Sequence, residues 1–442
     1  MLTVFAHGIV GRADLPIPET MFGVAAAAVL VLSFAALATL WSRPHLQEWR
    51  ERRLLPLPAG VDVVLGAIGI AAFVLTAYAG LAGTDAQRDN LAPTMVYVAF
   101  WVGVPFVSLI VGDIWRLLSP WRAIGRGTGW LAKRFGGELP EPMAYPARVG
   151  RWPAAIGLLG FGICELCWGA ARDPLPLAVI MLAYTVVMLV GMSLYGVETW
   201  SRNADAFGLY FGLFASLAAF TRRDGALYAR PPVVGAGRLE PLKGTTALLV
   251  VGIGVTAFDG AAEGPVFNDV LPNLQDFFTG LGFSQPTALE LGFVVGLLVV
   301  VALIGLIWTA GVAGMPGRPG PQLVHSLVPI VAAYVVAHYF SLLAYNGQDV
   351  LRLLSDPLGD GSDLFGTAQN TIDYSVVSAT AIWYVQVVAL VIGHVAALVL
   401  AHDRALVIYG SHRDATRSQV VMLIVMVCFT CLGLYLLSAA NG

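Results

Sequence analysis

The stretch LVHSLVPIVAAYVVAHYFSLLAYN, residues 323–346, decides the fold class of this chain. It is apolar over a length that crosses the ~30 Å hydrocarbon core of a bilayer as a helix. Nevertheless it contains His325 near one end and His338 deep inside. The next apolar run, residues 376–404, contains Gln386, His394 and His402. Ionisable groups inside membrane spans are costly and usually functional, so these two runs are the first place to look for a functional centre.

Composition excludes a soluble globular domain. Of the 442 residues, 57% are hydrophobic and only 12% are charged, whereas about a quarter of the residues of a soluble domain are charged. Neither a basic stripe nor a nucleic-acid-binding motif is present, so nucleic acid is not an expected partner. The expected partners are the lipid bilayer and a small ion or small molecule, with other membrane proteins or further copies of this chain as additional partners.

Ten apolar runs predict an all-α polytopic membrane bundle that forms one integral membrane domain over residues 1–442. The runs lie near 21–41, 61–82, 92–112, 153–170, 175–196, 245–258, 288–310, 323–345, 376–401 and 419–438. The sixth run is unusually short. An eleventh apolar patch at 207–220 has arginines on both sides, which predicts an interfacial or re-entrant segment rather than a span.

The distribution of basic residues predicts the orientation of the chain. With the N-terminus outside, 21 of the 25 Lys and Arg residues fall in inner segments and four in outer ones. Under the positive-inside rule this indicates an N-out, C-out topology. Acidic residues are concentrated in the outer loops, where they would attract cations and repel anions. The inner stretch 112–135 alternates three tryptophans with basic residues, which predicts a segment at the headgroup level.

Five polar residues predict a path for an ion or proton through the bundle: Glu165, Asp259, His338, Gln386 and His394. A carboxylate near the middle of a span, such as Glu165, is expected to be protonated, paired or facing a cavity. Asp259 ends the short sixth span, where glycines can break the helix as they do in transporters; the alternative is a simple entry into a loop. The alternative for His338 is a core histidine bonded to a neighbouring helix. From their depths, His338 and His394 are not expected to share one metal ion.

A separate group near the inner ends of two spans is a candidate site for a divalent metal: His325, His402 and Asp403. The alternative is an interfacial cap of a helix. The pairs Cys164/Cys167 and Cys428/Cys431 have a spacing that suits a thiolate metal site, a redox pair or plain helix packing. Motifs for a nucleophilic serine, a zinc protease or a nucleotide loop are absent from the sequence, so an enzyme here would use metal or general-base chemistry.

Short motifs run across most of the chain: HGIVGR with DLP at 7–16, GDIWR with SPWR at 112–122, FDG at 258–260, AHYF at 337–340 and AHDR at 401–404. With these motifs the chain resembles the multi-pass bacterial membrane proteins labelled fenitrothion hydrolase. The resemblance implies a membrane-bound, metal-dependent hydrolase of organophosphate triesters, with water activated at His and Asp ligands. Two ligand sets are implied: His7, Asp14 and His338 on the outer side, or His325, His402 and Asp403 on the inner side.

The sequence therefore supports three hypotheses for a protein of the bacterial cytoplasmic (inner) membrane. The first is a transporter or permease for a cation, a proton or a small solute, which requires a polar path in the bundle. The second is the metal-dependent hydrolase, which requires three or four ligands around one divalent ion. The third is a structural subunit of a membrane complex, which requires no enclosed polar centre.

Overall fold

A computed structural model describes residues 19–58, 60–137, 140–428 and 430. In this part of the chain, six helices are long and apolar enough to cross a membrane: Val61–Ala82, Leu91–Val111, Pro174–Tyr195, Gln285–Ala313, Gly320–Asn346 and Ala379–Tyr409. The pair Thr245–Ala261 and Pro265–Gly280 makes a seventh if it is one broken span. The predicted class of helical membrane protein is confirmed at this level, whereas ten spans and the orientation stay predictions.

Eighteen α-helices are formed by the described residues, six of them in the first third of the chain. They are α1 (Glu19–Leu40), α2 (Val61–Ala82), α3 (Leu91–Thr94), α4 (Val104–Val111), α5 (Trp115–Leu118) and α6 (Pro120–Arg134). A π-helix, Met95–Gly103, joins α3 to α4, so that the three form one continuous span. The predicted spans at 21–41, 61–82 and 92–112 therefore correspond to helices.

The middle third contributes α7 (Trp152–Leu166), α8 (Pro174–Tyr195), α9 (Val197–Asn203), α10 (Ala206–Leu217), α11 (Thr245–Ala261) and α12 (Pro265–Gly280). The last third contributes α13 (Gln285–Ala313), α14 (Gly320–Leu323), α15 (Val328–Asn346), α16 (Asp349–Ser355), α17 (Ala379–Tyr409) and α18 (His412–Ser418). Short 3-10 turns lie at Gly169–Arg172, Ala236–Arg238 and Val324–Leu327. The chain is helical again at 420–428, within the predicted last span.

The long helices begin and end at residues that satisfy their free backbone groups. The side chain of Ser378 accepts a hydrogen bond from the amide of Ala381 at the start of α17, and Ser284 does the same for Thr287 at the start of α13. Gly410 ends α17 in the left-handed conformation, with φ of 66°. These are the usual helix caps, and they fix the limits of both spans independently of any lipid.

The loops gather at two ends of the bundle, which we call the basic end and the acidic end. The basic end contains 41–58, 112–137, 140–151, 196–244, 314–319 and 410–419, and the acidic end contains 83–90, 167–173, 262–284 and 347–378. Contacts within each end connect distant loops: Arg222 pairs with Asp62 at the basic end, and the amide of Thr84 donates to the carbonyl of Leu358 at the acidic end. The bundle thus separates charge as the loop composition predicts.

A small antiparallel sheet at the basic end is a departure from the predicted all-α class. Strands β1 (Arg52–Pro56), β2 (Phe220–Arg223) and β3 (Ala226–Ala229) pair in the order β1-β3-β2. The carboxylate of Glu51, just before β1, pairs with three arginines: Arg223, Arg230 and Arg238. The side chains of Glu51 and Arg230 are largely buried whereas that of Arg223 is exposed, and these ion pairs tie the two loops together.

Close approach of α15 and α17 forms the most buried part of the bundle. A Cβ atom on Gly393 would lie only 2.8 Å from the carbonyl oxygen of Pro329 and would also clash with Ala333, so only glycine fits there. The span Gly320–Asn346, which contains α15, is 72% buried over its most apolar window. Small residues at such contacts are how membrane helices pack tightly.

The predicted interfacial or re-entrant segment at 207–220 is buried inside the bundle. Its helix α10 starts at Asp205, whose carboxylate accepts a hydrogen bond from the hydroxyl of Tyr184, eleven residues before the end of α8. It ends at the basic end, where the carbonyl of Leu217 accepts from the amide of Val233. The helix therefore starts inside the bundle and returns to the end from which the chain entered, as a re-entrant segment does.

The stretch 112–135 differs from the predicted headgroup-level segment. Trp115 and Trp121 are buried, and Trp121 donates a hydrogen bond from Nε1 to Thr185 on α8. Only Trp130 of the three tryptophans is well exposed, at 65%. The alternation of aromatic and basic residues reflects packing against α8 and α10 as much as lipid contact, which the sequence pattern alone does not distinguish.

Candidate functional site

Three side chains from two helices form a hydrogen-bonded polar centre in the bundle. Helix α11 supplies Asp259, and α15 supplies His338 and Tyr339. Nε2 of His338 lies 2.9 Å from Oδ2 of Asp259, and the Tyr339 hydroxyl donates to the same oxygen at 2.9 Å. Asp259 and His338 are only 8% and 5% exposed, and Tyr339 is buried as well. One carboxylate oxygen therefore holds two donors in an apolar environment.

Glu165 adds a second carboxylate to this centre. It lies in the last turn of α7 and is 5% exposed. It interacts electrostatically with Asp259 and with Arg172, whose guanidinium also donates to the Glu165 backbone carbonyl at 3.3 Å. Its Oε2 atom has no hydrogen-bond partner within the described ranges of the chain. Two neighbouring buried carboxylates cannot both be charged cheaply, so the pair is suited to binding a proton or a cation.

The position of Glu165 corrects the prediction that it lies at the middle of a span. Helix α7 has only 15 residues, and Glu165 is 13 residues from its first residue, Trp152. At 1.5 Å per residue this is about 20 Å from the basic end of that helix. The polar centre thus lies in the half of the bundle nearer the acidic end.

A third acidic residue, Glu263, extends the polar centre towards the acidic end. It follows Asp259 by four residues and lies in the break between α11 and α12, which meet at 91°. It is half-buried and interacts electrostatically with both Asp259 and His338. The break in this helix pair agrees with the prediction that glycines interrupt the sixth span, here at Gly264 before Pro265.

Aromatic rings fill the bundle on the side of the polar centre that faces the basic end. We call them the aromatic layer, which consists of Phe100, Trp101, Phe161, Phe207, Tyr210 and Phe211. The rings of Trp101 and Tyr210 stack with centroids 5.2 Å apart, and Phe207 meets Phe100 at 4.8 Å and Phe161 at 5.1 Å. The layer joins α7, α10 and the π-helix Met95–Gly103.

Gln386 and His394, the other two predicted path residues, are buried on α17 and are not part of this centre. Nδ1 of His394 lies 2.7 Å from the carbonyl oxygen of Leu390, and its ring faces Tyr334 with centroids 6.4 Å apart. Tyr334 precedes His338 by one turn of α15. The structure thus brings together Glu165, Asp259 and His338, whereas Gln386 and His394 lie on the neighbouring helix α17.

The predicted inner metal set, His325, His402 and Asp403, is not assembled as a ligand cluster. Within the described residues, no three His, Cys, Asp or Glu side chains are grouped so that they could hold a metal ion. Nε2 of His402 lies 3.1 Å from the carbonyl oxygen of Trp41, and Nε2 of His325 lies 3.3 Å from that of Leu400. Both imidazoles lie at hydrogen-bond distance from a backbone carbonyl, and Leu400 is inside α17, so the His325 contact joins two helices and does not cap one.

Asp403 has a structural role as well. Its Oδ1 atom accepts hydrogen bonds from the amides of His45 and Leu46, at 2.6 and 3.1 Å, and from Nε1 of Trp41 at 3.2 Å. These bonds hold the segment after α1 against α17. Three donors on one oxygen stabilise this buried carboxylate.

Other predicted residues fall outside this site or outside the described residues. His7 and Asp14, the candidates on the outer side, lie outside the described residues, as does Cys431. Cys164 and Cys167 are free thiols on either side of Glu165, and Cys428 is free and exposed. The proposed pairing of the two cysteine pairs in one site therefore stays a prediction.

Tyr339, Glu263 and the rings of the aromatic layer are the residues of the site that the sequence did not single out. Tyr339 directly follows His338, and Tyr210 is the one phenol in the apolar patch at 207–220. Glu263 is one of the acidic residues assigned to the outer loops, and helical spacing does not link it to Asp259, because α11 ends at Ala261.

No family model matches this chain, and neither a curated protein nor a solved structure matches it.

Proposed function

We propose that this protein transports a proton or a small cation across the membrane through a path that includes Glu165, Asp259 and His338. In this proposal it is a protein of the bacterial cytoplasmic membrane with both termini outside, so that the basic end faces the cytoplasm. The distribution of 21 Lys and Arg residues over inner segments and four over outer ones supports that orientation.

The observation that carries the proposal is the hydrogen-bonded group of Asp259, His338 and Tyr339 with Glu165 beside it. Carboxylates and imidazoles inside a membrane protein are expensive, and they persist where they bind or transfer charge. A carboxylate bonded to an imidazole can accept a proton and release it again within hydrogen-bond distance. A purely structural subunit has no need of such a group, which disfavours the third hypothesis.

The acidic end supports a cationic rather than an anionic cargo. The loop 347–378 contains five aspartates, and the bend after α11 adds Glu263 and Asp269. A surface of this sign raises the local concentration of cations and lowers that of anions. Several of these carboxylates are held ionised: hydrogen bonds from Ser355 and from the backbone lower the pKa of Asp363, and bonds from Ser375 lower that of Asp373.

Proton flux in liposomes tests the proposal. The purified protein is reconstituted with an entrapped pH-sensitive dye, and a membrane potential is imposed with potassium and valinomycin. We expect Glu165→Gln and Asp259→Asn to reduce flux at least about tenfold, because neither amide can exchange a proton. Asp205→Asn is the matched control, since Asp205 is a buried carboxylate outside the centre and asparagine is an equally good helix cap.

The same liposomes distinguish a proton from a small cation. A proton carrier collapses a pH gradient with sodium absent from both sides, whereas a cation carrier requires an added cation gradient. A proton flux in Glu165→Gln and Asp259→Asn equal to that of the wild-type protein would overturn the assignment of the path. No flux of either kind in the wild-type protein would overturn the transport proposal itself.

Hydrolysis of an organophosphate triester is a second proposal, and one contact favours it. The bond between His338 and Asp259 is the arrangement that orients an imidazole as a general base towards water. We propose that, in this case, His338 activates the water that attacks phosphorus. A chromogenic triester that releases a nitrophenol tests this proposal: activity that is lost in His338→Gln supports it, and an inactive wild-type protein excludes it.

A further inference from the structure

We infer that the polar centre exchanges with water only at the acidic end, past Glu263, and that the aromatic layer, formed by α7, α10 and the π-helix Met95–Gly103, seals it from the basic end. The inference rests on the proposed transport function and adds the side of access, the first carboxylate on the path and the gate. The re-entrant helix α10 is the element that carries the gate.

Two helices independently give the order of these features along the bundle. On α11, Gly252 contacts the ring of Tyr210, because a Cβ atom there would lie 2.8 Å from Cε2. On α15, Cγ1 of Val331 would lie 3.6 Å from the same Cβ atom, so Val331 is at the level of Gly252. Asp259 and His338 both follow seven residues later. At 1.5 Å per residue, the polar centre is therefore about 10 Å nearer the acidic end than the aromatic layer.

A third helix gives the same order. On α7, Phe161 belongs to the aromatic layer and comes one turn before Glu165, and α7 runs from the basic end. The rings of Phe161 and Trp101 have centroids 4.6 Å apart, and Phe211 meets Phe100 at 5.1 Å. Trp101, Phe207, Tyr210 and Phe211 are all buried. Closely packed, buried rings exclude water and oppose the passage of charge, and the polar atoms of this layer are Nε1 of Trp101 and the hydroxyl of Tyr210.

The acidic end has a different structure. Helix α11 ends at Ala261, and α12 leaves at 91°, so α11 does not continue beyond Glu263. Glu263 is half-buried, in contrast to Asp259 and Glu165, and it interacts electrostatically with Asp259 and His338. A proton can pass from water to the Glu263 carboxylate and then to the Asp259–His338 pair. Each transfer breaks one O–H or N–H bond and forms another, so no further reactant is needed.

Access from each side is measured with a cysteine at the centre. Ser341 suits this purpose, because it follows His338 by three residues on α15, is buried, and its hydroxyl has no hydrogen-bond partner among the residues that the structure covers. In a chain whose four native cysteines are alanine, Ser341→Cys is exposed to a small charged thiol reagent from one side of the membrane at a time. Asp269→Cys and Lys133→Cys, which are exposed at the acidic and the basic end, report that the reagent reaches each side.

We expect the thiol of Ser341→Cys to react at least about tenfold faster when the reagent is added at the acidic end than when it is added at the basic end. A tenfold ratio of rates corresponds to a gate whose closed state is favoured over its open state by ~1.4 kcal/mol. Adding Phe207→Ala removes a ring from the aromatic layer and should raise the rate from the basic end. Equal rates from both sides, no reaction from the acidic end, or no effect of Phe207→Ala would each overturn the inference. Phe214→Ala is a control, because Phe214 contacts Tyr210 but not the other rings of the layer.

The role of Glu263 has its own readout. Glu263→Gln should lower proton flux by about tenfold and leave the reaction of Ser341→Cys unchanged, whereas Asp269→Asn should change neither. Wild-type flux in Glu263→Gln would show that the path does not use this carboxylate. Because the thiol reaction does not depend on transport, a protein without flux that still reacts from one side would contradict the proposed function and leave the sealed layer in place.

Discussion

Replacement of Asp259 is the most direct test of the polar centre, because one oxygen of this side chain accepts from His338 and from Tyr339, each at 2.9 Å. In Asp259→Ala both donors stay buried without their acceptor, and each such loss costs about 1 to 3 kcal/mol. We therefore expect the free energy of unfolding to fall by about 2 to 6 kcal/mol. Asp259→Asn retains an acceptor oxygen, so we expect it to lose only about 1 to 2 kcal/mol.

The assay compares stability and transport in the same preparations. Unfolding of the detergent-solubilised protein is followed by heating or by denaturant, and proton flux is measured after reconstitution. We expect Asp259→Asn to unfold at a temperature or denaturant concentration close to that of the wild-type protein but to lose proton flux. An amide accepts hydrogen bonds but cannot exchange a proton as a carboxyl group does. A stable variant without flux distinguishes a functional carboxylate from a structural one.

Tyr339→Phe completes a double-mutant cycle with Asp259→Ala. Since the two side chains are in direct contact, we expect a coupling free energy of about 0.5 to 3 kcal/mol. Additive effects of the two substitutions would show that this hydrogen bond is not formed. An Asp259→Ala variant as stable as the wild type would refute the whole description of the centre, and wild-type flux in Asp259→Asn would remove the carboxylate from the path.

Substitutions at three further positions test other parts of the fold in thermal unfolding. Partial burial opposes ionisation of Glu198, but ion pairs with Arg122 and its neighbours lower its pKa from 4.5 to about 2. The stability that these ion pairs contribute is complete above pH 4.5, the pKa of the unfolded state, and is lost as the pH falls towards 2. Glu198→Gln should therefore remove this pH dependence and lower the free energy of unfolding by about 1 kcal/mol, after allowance for the exposure of Glu198. Asp403→Leu removes an acceptor of three hydrogen bonds and should cost about 3 to 5 kcal/mol, whereas Asp403→Asn should cost clearly less. Gly252→Ala forces a methyl group against Tyr210 and should cost about 1 to 3 kcal/mol; a neutral result would contradict the close contact.

The sequence predicts the helices better than it predicts their neighbours. Apolar runs of the right length mark the six long helices, because a bilayer imposes one length on every span. Which helices touch is a different question, since a membrane helix is apolar on all sides and has no amphipathic stripe that points to its partner. Asp259 and His338 are 79 residues apart in the chain. Their contact depends on packing between α11 and α15, which no local pattern encodes.

Short helices are the second feature that the sequence predicts poorly. The run at 153–170 reads as a full span, yet α7 ends at Leu166, where the 3-10 turn Gly169–Arg172 follows. The patch at 207–220 is similarly apolar but is a buried helix of 12 residues. In both cases tertiary contacts replace lipid around the helix ends, which length and hydropathy cannot show.

The arrangement of these short helices explains why the polar centre lies where it does. Helices α7, α10 and α11 have 15, 12 and 17 residues, and all three contact the centre or the aromatic layer beside it. A helix needs about 20 residues to cross the hydrocarbon core, so none of these three helices is long enough to cross it alone. The apolar barrier at this point is the aromatic layer, about 10 Å from the carboxylates. A charge that reaches Glu165 from the acidic end has therefore crossed less than half of the bundle, and the aromatic layer still separates it from the basic end.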